Sequence, residues 1–547
     1  MAEKSTTQEV VNPDNGSGPD VVHDEEAGHQ KSTVEVGELK KDLRNRHMQM
    51  IAIGGAIGAG LFVGSGGALS RGGPASLLIC YSVVGIMLFF TCQALAELAV
   101  LYPVNGAFYT YVVRFLHPAW GFAVGWDYTL SWLIILPFEL IAASITIEYW
   151  RSDINMAVWV TVFLVVLCVI QLFGVRGYGE VEFVLSMIKI AACAGFIILG
   201  IIINTGGVGD RGYLGTTFWR DPGAFQNGFN GFAGVFVIAA FSFGGTELVG
   251  LAAAESSNPR KAIPTASKQV FWRIAFFYIL NLFIVGLILP ATDNRLLNSS
   301  GANTKASPFV LAIEDAGIQI LPSIMNAVIT IAVISVANSC TFGSTRTMQA
   351  LAQAGMGPKF LAYIDKQGRP LWCVLIQLMF GLLGYVGTAA ESSEVFNWLL
   401  AISGLSYFLI WSSICLTHIR FRYVWKAQGF TLDQIPYKAS FGVWGSYIGL
   451  GLNILCLIAT FYSALYPTND ASPDAEVFFK QYLAAPIVIS LYFGWRVYTR
   501  DWRLYIPAHD VDLTTNLRMR TPGSDEEGEP EVRTWKNLPA RMFHGLF

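Results

Sequence analysis

Five ionisable side chains, Glu97, Asp127, Glu139, Lys189 and Glu247, stand inside long apolar stretches of this 547-residue sequence. An ionised group in hydrocarbon costs about 3 kcal/mol or more, so such residues persist where they bind protons, ions or polar ligands, or where they pair with one another. Glu139, in LPFELIAAS, lies about a dozen residues along its helix from Asp127, or ~18 Å, which places it deep in the apolar layer. Two readings stand for it, a proton or solute site and an interhelical hydrogen bond. Lys189 is ~12 Å inside its helix, where it either exchanges a proton or snorkels outward. Glu247 opens the second half of an interrupted helix, so a carboxylate capping free N–H groups competes with a direct part in proton movement. Glu97 and Asp127 are shallower, and pairing or water contact suits them. No histidine stands at mid-depth, so a histidine relay is not expected. The Ser403 hydroxyl, in LLAISGLSYF, either selects a ligand side chain or bonds back to its own helix.

Glycine supplies the second constellation. Residues 53–67 read IGGAIGAGLFVGSGG and residues 241–247 read FSFGGTE, both inside apolar segments. Each glycine weakens a helix by about 1 kcal/mol relative to alanine, so both segments are expected to break. A broken helix leaves unpaired N–H groups at one half-helix end and unpaired carbonyls at the other, tolerable only around a polar cavity. A zwitterion fits such a cavity: its carboxylate accepts from the positive end and its ammonium donates to the carbonyls. Gly54/Gly58 and Gly60/Gly64 also form GxxxG packing motifs. The likeness to a nucleotide-binding glycine fingerprint fails because no strand precedes it. Phe241, at the second break, either closes over a ligand or packs in the core.

The elements that must hold these residues follow from composition. The chain is 53% hydrophobic and 14% charged, with net charge −3 and mean hydropathy +0.47. This pattern excludes an ordinary soluble domain and gives no basis for a nucleic-acid partner. With about 20 apolar residues per span, roughly twelve spans emerge, an all-α polytopic membrane protein in a lipid bilayer. The two breaks are five spans apart. An odd interval reverses direction through the membrane, which predicts a five-plus-five inverted repeat with spans 1 and 6 broken. Lysine and arginine concentrate in alternate loops, which places both termini in the cytoplasm. The sequence divides into an N-terminal tail, 1–46, a twelve-helix domain, 47–498, and a C-terminal tail, 499–547; the tails are polar and acid-rich, a composition of disorder. Lys4, Lys31, Lys40 and Lys41 are reachable there for ubiquitin-type attachment and trafficking machinery. The polar start carries no cleaved-signal pattern. Asn298-Ser299-Ser300 is a glycosylation acceptor in an outer loop, whereas Asn15-Gly16-Ser17 falls on the cytoplasmic side. All eight cysteines lie in apolar stretches, without CxxC or histidine at ligand spacing, so neither a metal nor a cofactor is expected.

Several segments resemble the fungal plasma-membrane amino acid permeases of the amino acid, polyamine and organocation superfamily. They are LKKDLRNRHMQMIAIGGAIGAGLFVGSG, PVNGAFYTYVVRFLHPAWGFAVGWDY, ESSNPRKAIPTASKQVFWRI, STRTMQALAQAGMGPKF and HIRFR, and the similarity runs from about Leu39 to Tyr505. The resemblance implies a transporter, not an enzyme, that takes up amino acids with protons across the plasma membrane on a five-plus-five fold. It implies substrate contacts at Ile57, Gly58, Ala59 and Gly60 and at Phe241, Ser242 and Phe243, and a lysine, Lys189, in the place of a sodium ion. With Lys189, Glu139 and Glu247 are the candidates for proton coupling, and Ser403 for side-chain selection. No charged residue marks the expected pocket floor, which favours broad neutral specificity over a narrow range of proline or basic amino acids. Within this family a non-transporting sensor is the rival reading; the short N-terminal tail and the two intact breaks favour transport.

Overall fold

The computed structural model describes residues 43–518 apart from 55–56, 152, 210, 257, 298–306, 389–391, 467–472 and 474. The tail lysines and both glycosylation motifs lie outside the described residues.

Every described span is helical, and the glycines set where helices stop. The first half of span one is Asn45–Gly54, and the second begins as a five-residue π-helix, Gly60–Gly64, that runs on into Ser65–Leu101. That run turns a corner at Gly73 (φ 80°, ψ 172°), followed by Pro74, so residues 65–72 finish span one and 74–101 form span two. The turn is too tight for a side chain: a Cβ on Gly73 would stand 2.7 Å from the Ala224 carbonyl oxygen. Span three is Pro118–Glu148, opened by His117, whose ring accepts from the Ala119 amide at 3.1 Å. Span four is Met156–Leu172, capped by Asn155, and span five is Gly174–Asn204. Span six is Gly228–Phe243, then a non-helical Gly244–Glu247, then Leu248–Leu251 and a 3₁₀ turn Ala252–Glu255. Span seven joins Pro259–Trp272 to Asn281–Ile288 through a π-helical Arg273–Leu280. Span eight is Leu321–Gln353; span nine joins Leu371–Gly381 to Leu382–Thr388; spans ten to twelve are Ser392–Ala427, Gly442–Leu465 and Ala484–Thr499. Eight of the described helices are long and apolar enough to cross a bilayer unaided. The twelve-span reading holds because the others are shorter pieces, halves of broken spans, or a long helix with charges at its end.

The inversion is visible in the packing register. A Cβ on Gly60 would meet Ser242, one on Gly64 would meet Ile238, and one on Gly72 would meet Val235 and Gly231, so spans one and six run antiparallel. Spans three and eight, the equivalent pair of the two repeats, also oppose each other. Asn326 bonds the Thr146 carbonyl at 2.8 Å at one end, Trp132 abuts Gly343 midway, and Trp126 donates to the Met356 carbonyl at 2.9 Å at the other. Spans one, three, six and eight form the buried centre. Spans four, nine, eleven and twelve present Val165, Met379, Leu455 and Val497 outward, as lipid contact requires.

The face that carries both ends of the described chain is tied across by ion pairs and by the segment that follows span twelve. The Arg346 guanidinium of span eight bonds the Glu255 carboxylate at 2.8 and 3.3 Å, and the Glu255 carbonyl accepts from the Leu43 amide at 3.1 Å. Glu97 accepts from Arg422 and the Ala439 amide and faces His418 at 3.1 Å, which makes it a structural pair and not a water-exposed group. Residues 500–518 correct the expectation of disorder from 499 onward. Their carbonyls accept from Arg496, Arg420, Gln428, Tyr102 and Arg114, and Val511 and Leu513 are buried.

Candidate functional site

The two breaks meet at a small cavity. It is lined by Gly58, Ala59 and Gly60 from span one, Phe241 and Gly244 from span six, and Trp132, Ile135 and Glu139 from span three, with Val336 of span eight and Tyr407 of span ten. The glycine pattern explains the approach: a Cβ on Gly60 would lie 2.5 Å from the Ser242 Cα, and one on Gly58 2.3 Å from a methyl of Val336. With side chains trimmed to hydrogen, spans one, six and eight pack closely around this cavity.

Gly58, Ala59 and Gly60, where the second half of span one begins, line the cavity, and the helix dipole there favours an anion. The span-six break is more fully satisfied than a bare helix end. The Gly244 amide donates to the Phe241 carbonyl at 3.1 Å, Tyr278 donates to the Ser242 carbonyl at 2.9 Å, and Thr246 donates to the Phe243 carbonyl at 2.7 Å. Carbonyls already in use leave the Glu139 carboxylate as the stronger partner for a cation. Glu139 is buried and its Oε2 has no hydrogen-bond partner among the described residues. The Trp132 Nε1 is likewise buried and unpartnered there. Phe241 packs edge-on against Phe138 at 5.0 Å between ring centroids, and Tyr407 stacks on Trp411 at 5.5 Å, which gives the cavity aromatic walls.

The structure thus brings together Gly58, Ala59, Gly60, Phe241 and Glu139 of the residues singled out in the sequence. The others stand apart from the cavity wall. Ile57 is buried in the core beside it. Ser242 points away, bonded to the Tyr81 hydroxyl at 2.8 Å and to the Ile238 carbonyl, and the Phe243 ring lies between Tyr81 and Tyr278. Ser403 bonds back to the Leu399 carbonyl at 3.0 Å. Glu247 is drawn into the protein, where it accepts from Tyr128 at 3.1 Å, from Trp411 at 3.4 Å and from the Gly245 amide at 3.2 Å. The amide contact reaches back to the turn at Gly245 (φ 93°), and the Glu247 side chain makes no capping bond to the helix that follows it. Asp127 is buried and accepts from Ser406 at 2.8 Å.

Lys189 does not snorkel. Its ammonium is fully buried, donates to the Ser335 hydroxyl of span eight at 2.8 Å, and pairs with Glu182 of its own helix at 3.4 Å. Glu182 has little sequence signal, since GYGEVEF reads as a polar helix start. Trp132, Ile135, Val336, Gly244 and Tyr407 are also cavity residues that periodicity alone does not distinguish from core.

Three comparisons bear on this arrangement. The profile of the family described as amino acid permease matches residues 47–508. A general amino-acid permease of Saccharomyces cerevisiae is 50% identical over 88% of this chain and 81% of its own length. A general amino-acid permease of Candida albicans is 51% identical over 88% and 82%, and a cationic amino acid transporter of Schizosaccharomyces pombe is 50% identical over 91% and 85%. Among solved structures, the manganese transporter of Eremococcus coleocola superposes with a TM-score of 0.52 at 12% identity, covering 86% of this chain and 98% of that one, a likeness of fold alone.

Proposed function

The chain belongs to the amino acid permease family, a group of membrane transporters and not enzymes, and on that premise we propose that it takes up amino acids across the plasma membrane together with protons, both termini being cytoplasmic. The observation that carries the reading is the cavity between the two breaks, where the start of the second half of span one faces the Glu139 carboxylate, whose Oε2 has no hydrogen-bond partner among the described residues. The amides of Gly58, Ala59 and Gly60 hold the substrate carboxylate. Glu139 meets the ammonium, and Trp132 offers a further donor. Phe241 covers the bound molecule from span six. Ile135, Val336, Phe241 and Tyr407 leave an apolar, aromatic space for the side chain, which supports neutral amino acids over a wide size range.

The driving force is assigned to protons. Lys189 extends a buried ammonium from span five to Ser335 of span eight, which supports a lysine in the role that a sodium ion has in sodium-coupled relatives. Glu139 and Lys189 interact electrostatically, so the charge state beside the substrate is felt at the lysine. Access alternates as spans one and six, weakened at their breaks, rock against spans three and eight, with the Arg346–Glu255 pair holding one face shut. The test is uptake of radiolabelled amino acids by cells that lack their own permeases, at acidic and at neutral external pH. Accumulation that rises in acid and collapses with a protonophore is expected. No uptake by a chain that reaches the cell surface would refute the proposal in favour of a sensor.

A further inference from the structure

Lys189 is one member of a buried constellation. Glu182, Ser186 and Lys189 stand on span five, all fully buried, with Ser335 facing them from span eight. Glu182 accepts from Ser335 at 2.8 and 2.7 Å on its two oxygens, from Ser186 at 3.1 Å and from Lys189 at 3.4 Å. Ser186 also reaches the Met50 carbonyl, in the first half of span one, at 3.4 Å. The chain breaks a few residues beyond Met50. Ser186 is thus shared between a buried carboxylate and the half-helix that must move for that side to open.

We infer that Glu182 is a positioning residue for proton coupling: it holds Lys189 as an ammonium aimed at span eight, and through Ser186 it ties the charge state of the pair to the first half of span one. The inference rests on the proton-coupled reading above. With the pair intact, one negative and one positive charge cancel in a dry site, and Ser186 is held against Met50. When a proton leaves Lys189, it departs as the bond from nitrogen to hydrogen breaks toward a water or toward Glu139, and Glu182 is left as an uncompensated anion. That anion holds the hydroxyl protons of Ser186 and Ser335 more tightly, and the longer contact from Ser186 to the Met50 carbonyl is lost. The other titratable groups near the pair are Glu139 on span three, Tyr178 and Cys193 on span five, and Cys340 and Arg346 on span eight. His47 of span one packs against Gly179, and Tyr278 of span seven interacts with Cys193. Glu182 bonds both the lysine and the serine that reaches span one.

The experiment compares Glu182→Gln, Lys189→Met and the double variant for surface level, for accumulation, for counterflow exchange and for the pH profile of uptake. Removing the counter-charge makes a charged Lys189 less favoured, so in Glu182→Gln the alkaline limb of uptake moves toward acid by about one pH unit. Lys189→Met strands a buried carboxylate and lowers the surface level, and the double variant, with both charges gone, regains it. The double variant loses accumulation far more than exchange. If Glu182→Gln does not reach the surface, Glu182→Asp, which keeps the charge and shortens the reach, is read for the same shift. A wild-type pH profile in the variant that is read, or equal loss of exchange and accumulation in a well-expressed double variant, overturns the inference. A wild-type protein indifferent to protonophore overturns the proton-coupled reading instead.

Discussion

In the proposed mechanism Glu139 is the residue on which substrate binding depends most. A carboxylate in a cavity otherwise walled by apolar and aromatic groups has one use for a zwitterion, and glutamine keeps its shape while removing its charge. Glu139→Gln is expected to lower uptake per surface molecule by at least about tenfold, the loss of a charge-assisted contact worth roughly 1.5–3 kcal/mol, with surface biotinylation unchanged. Equal loss of uptake and surface level would reduce Glu139 to a structural hydrogen bond. On the terminus-bearing face, Glu255→Ala strands the buried Arg346 guanidinium, a change of about 3–5 kcal/mol that a thermal unfolding assay of the solubilised protein detects. At this scale the sequence is legible where chemistry contrasts with surroundings: Glu139 and Lys189 stand out because apolar residues flank them. Glu182 does not, because Gly177, Gly179 and Glu180 just before it read as a polar helix start, and Trp132 and Tyr407 do not, because an aromatic side chain looks the same in a core and in a cavity.

The breaks themselves were readable, since clustered glycines weaken any helix. The same glycines allow a sharp contrast. A Cβ on Gly60 collides with the Ser242 backbone, whereas one on Gly67 meets nothing within 4 Å. Gly60→Ala is therefore expected to force spans one and six apart and abolish uptake, and Gly67→Ala to leave it intact, both measured per surface molecule. What composition hid is the strap of residues 500–518, polar in sequence yet ordered, because its backbone carbonyls are taken by arginine, glutamine and tyrosine side chains from the helices beneath. Hydrogen bonds from Thr515 and Thr514 hold the Asp512 carboxyl well below the usual carboxylate range. A depressed carboxyl supports its turn at every pH above its ordinary value and loses that support only as pH falls through the depressed one, so the strap stays shut at neutral and mildly acidic pH. Asp512→Ala should expose it to limited proteolysis at neutral pH, while the wild-type strap resists cleavage across that range.

For the whole molecule, the five-span interval between two breaks was enough to predict the inverted repeat, and the antiparallel registers of spans one with six and three with eight are its structural expression. The packing that closes the cavity was not legible, because it depends on which faces of ten helices meet and no single segment contains that information. The account as a whole says that an amino acid sits where the two breaks meet and moves with protons. The most direct measurement is accumulation of a radiolabelled amino acid by purified protein in proteoliposomes under an inside-alkaline pH gradient, with Gly60→Ala and Gly67→Ala beside wild type. The account predicts accumulation by wild type and Gly67→Ala that collapses with a protonophore, and none by Gly60→Ala. Accumulation that survives the protonophore, or that is as strong in Gly60→Ala as in wild type, would contradict it.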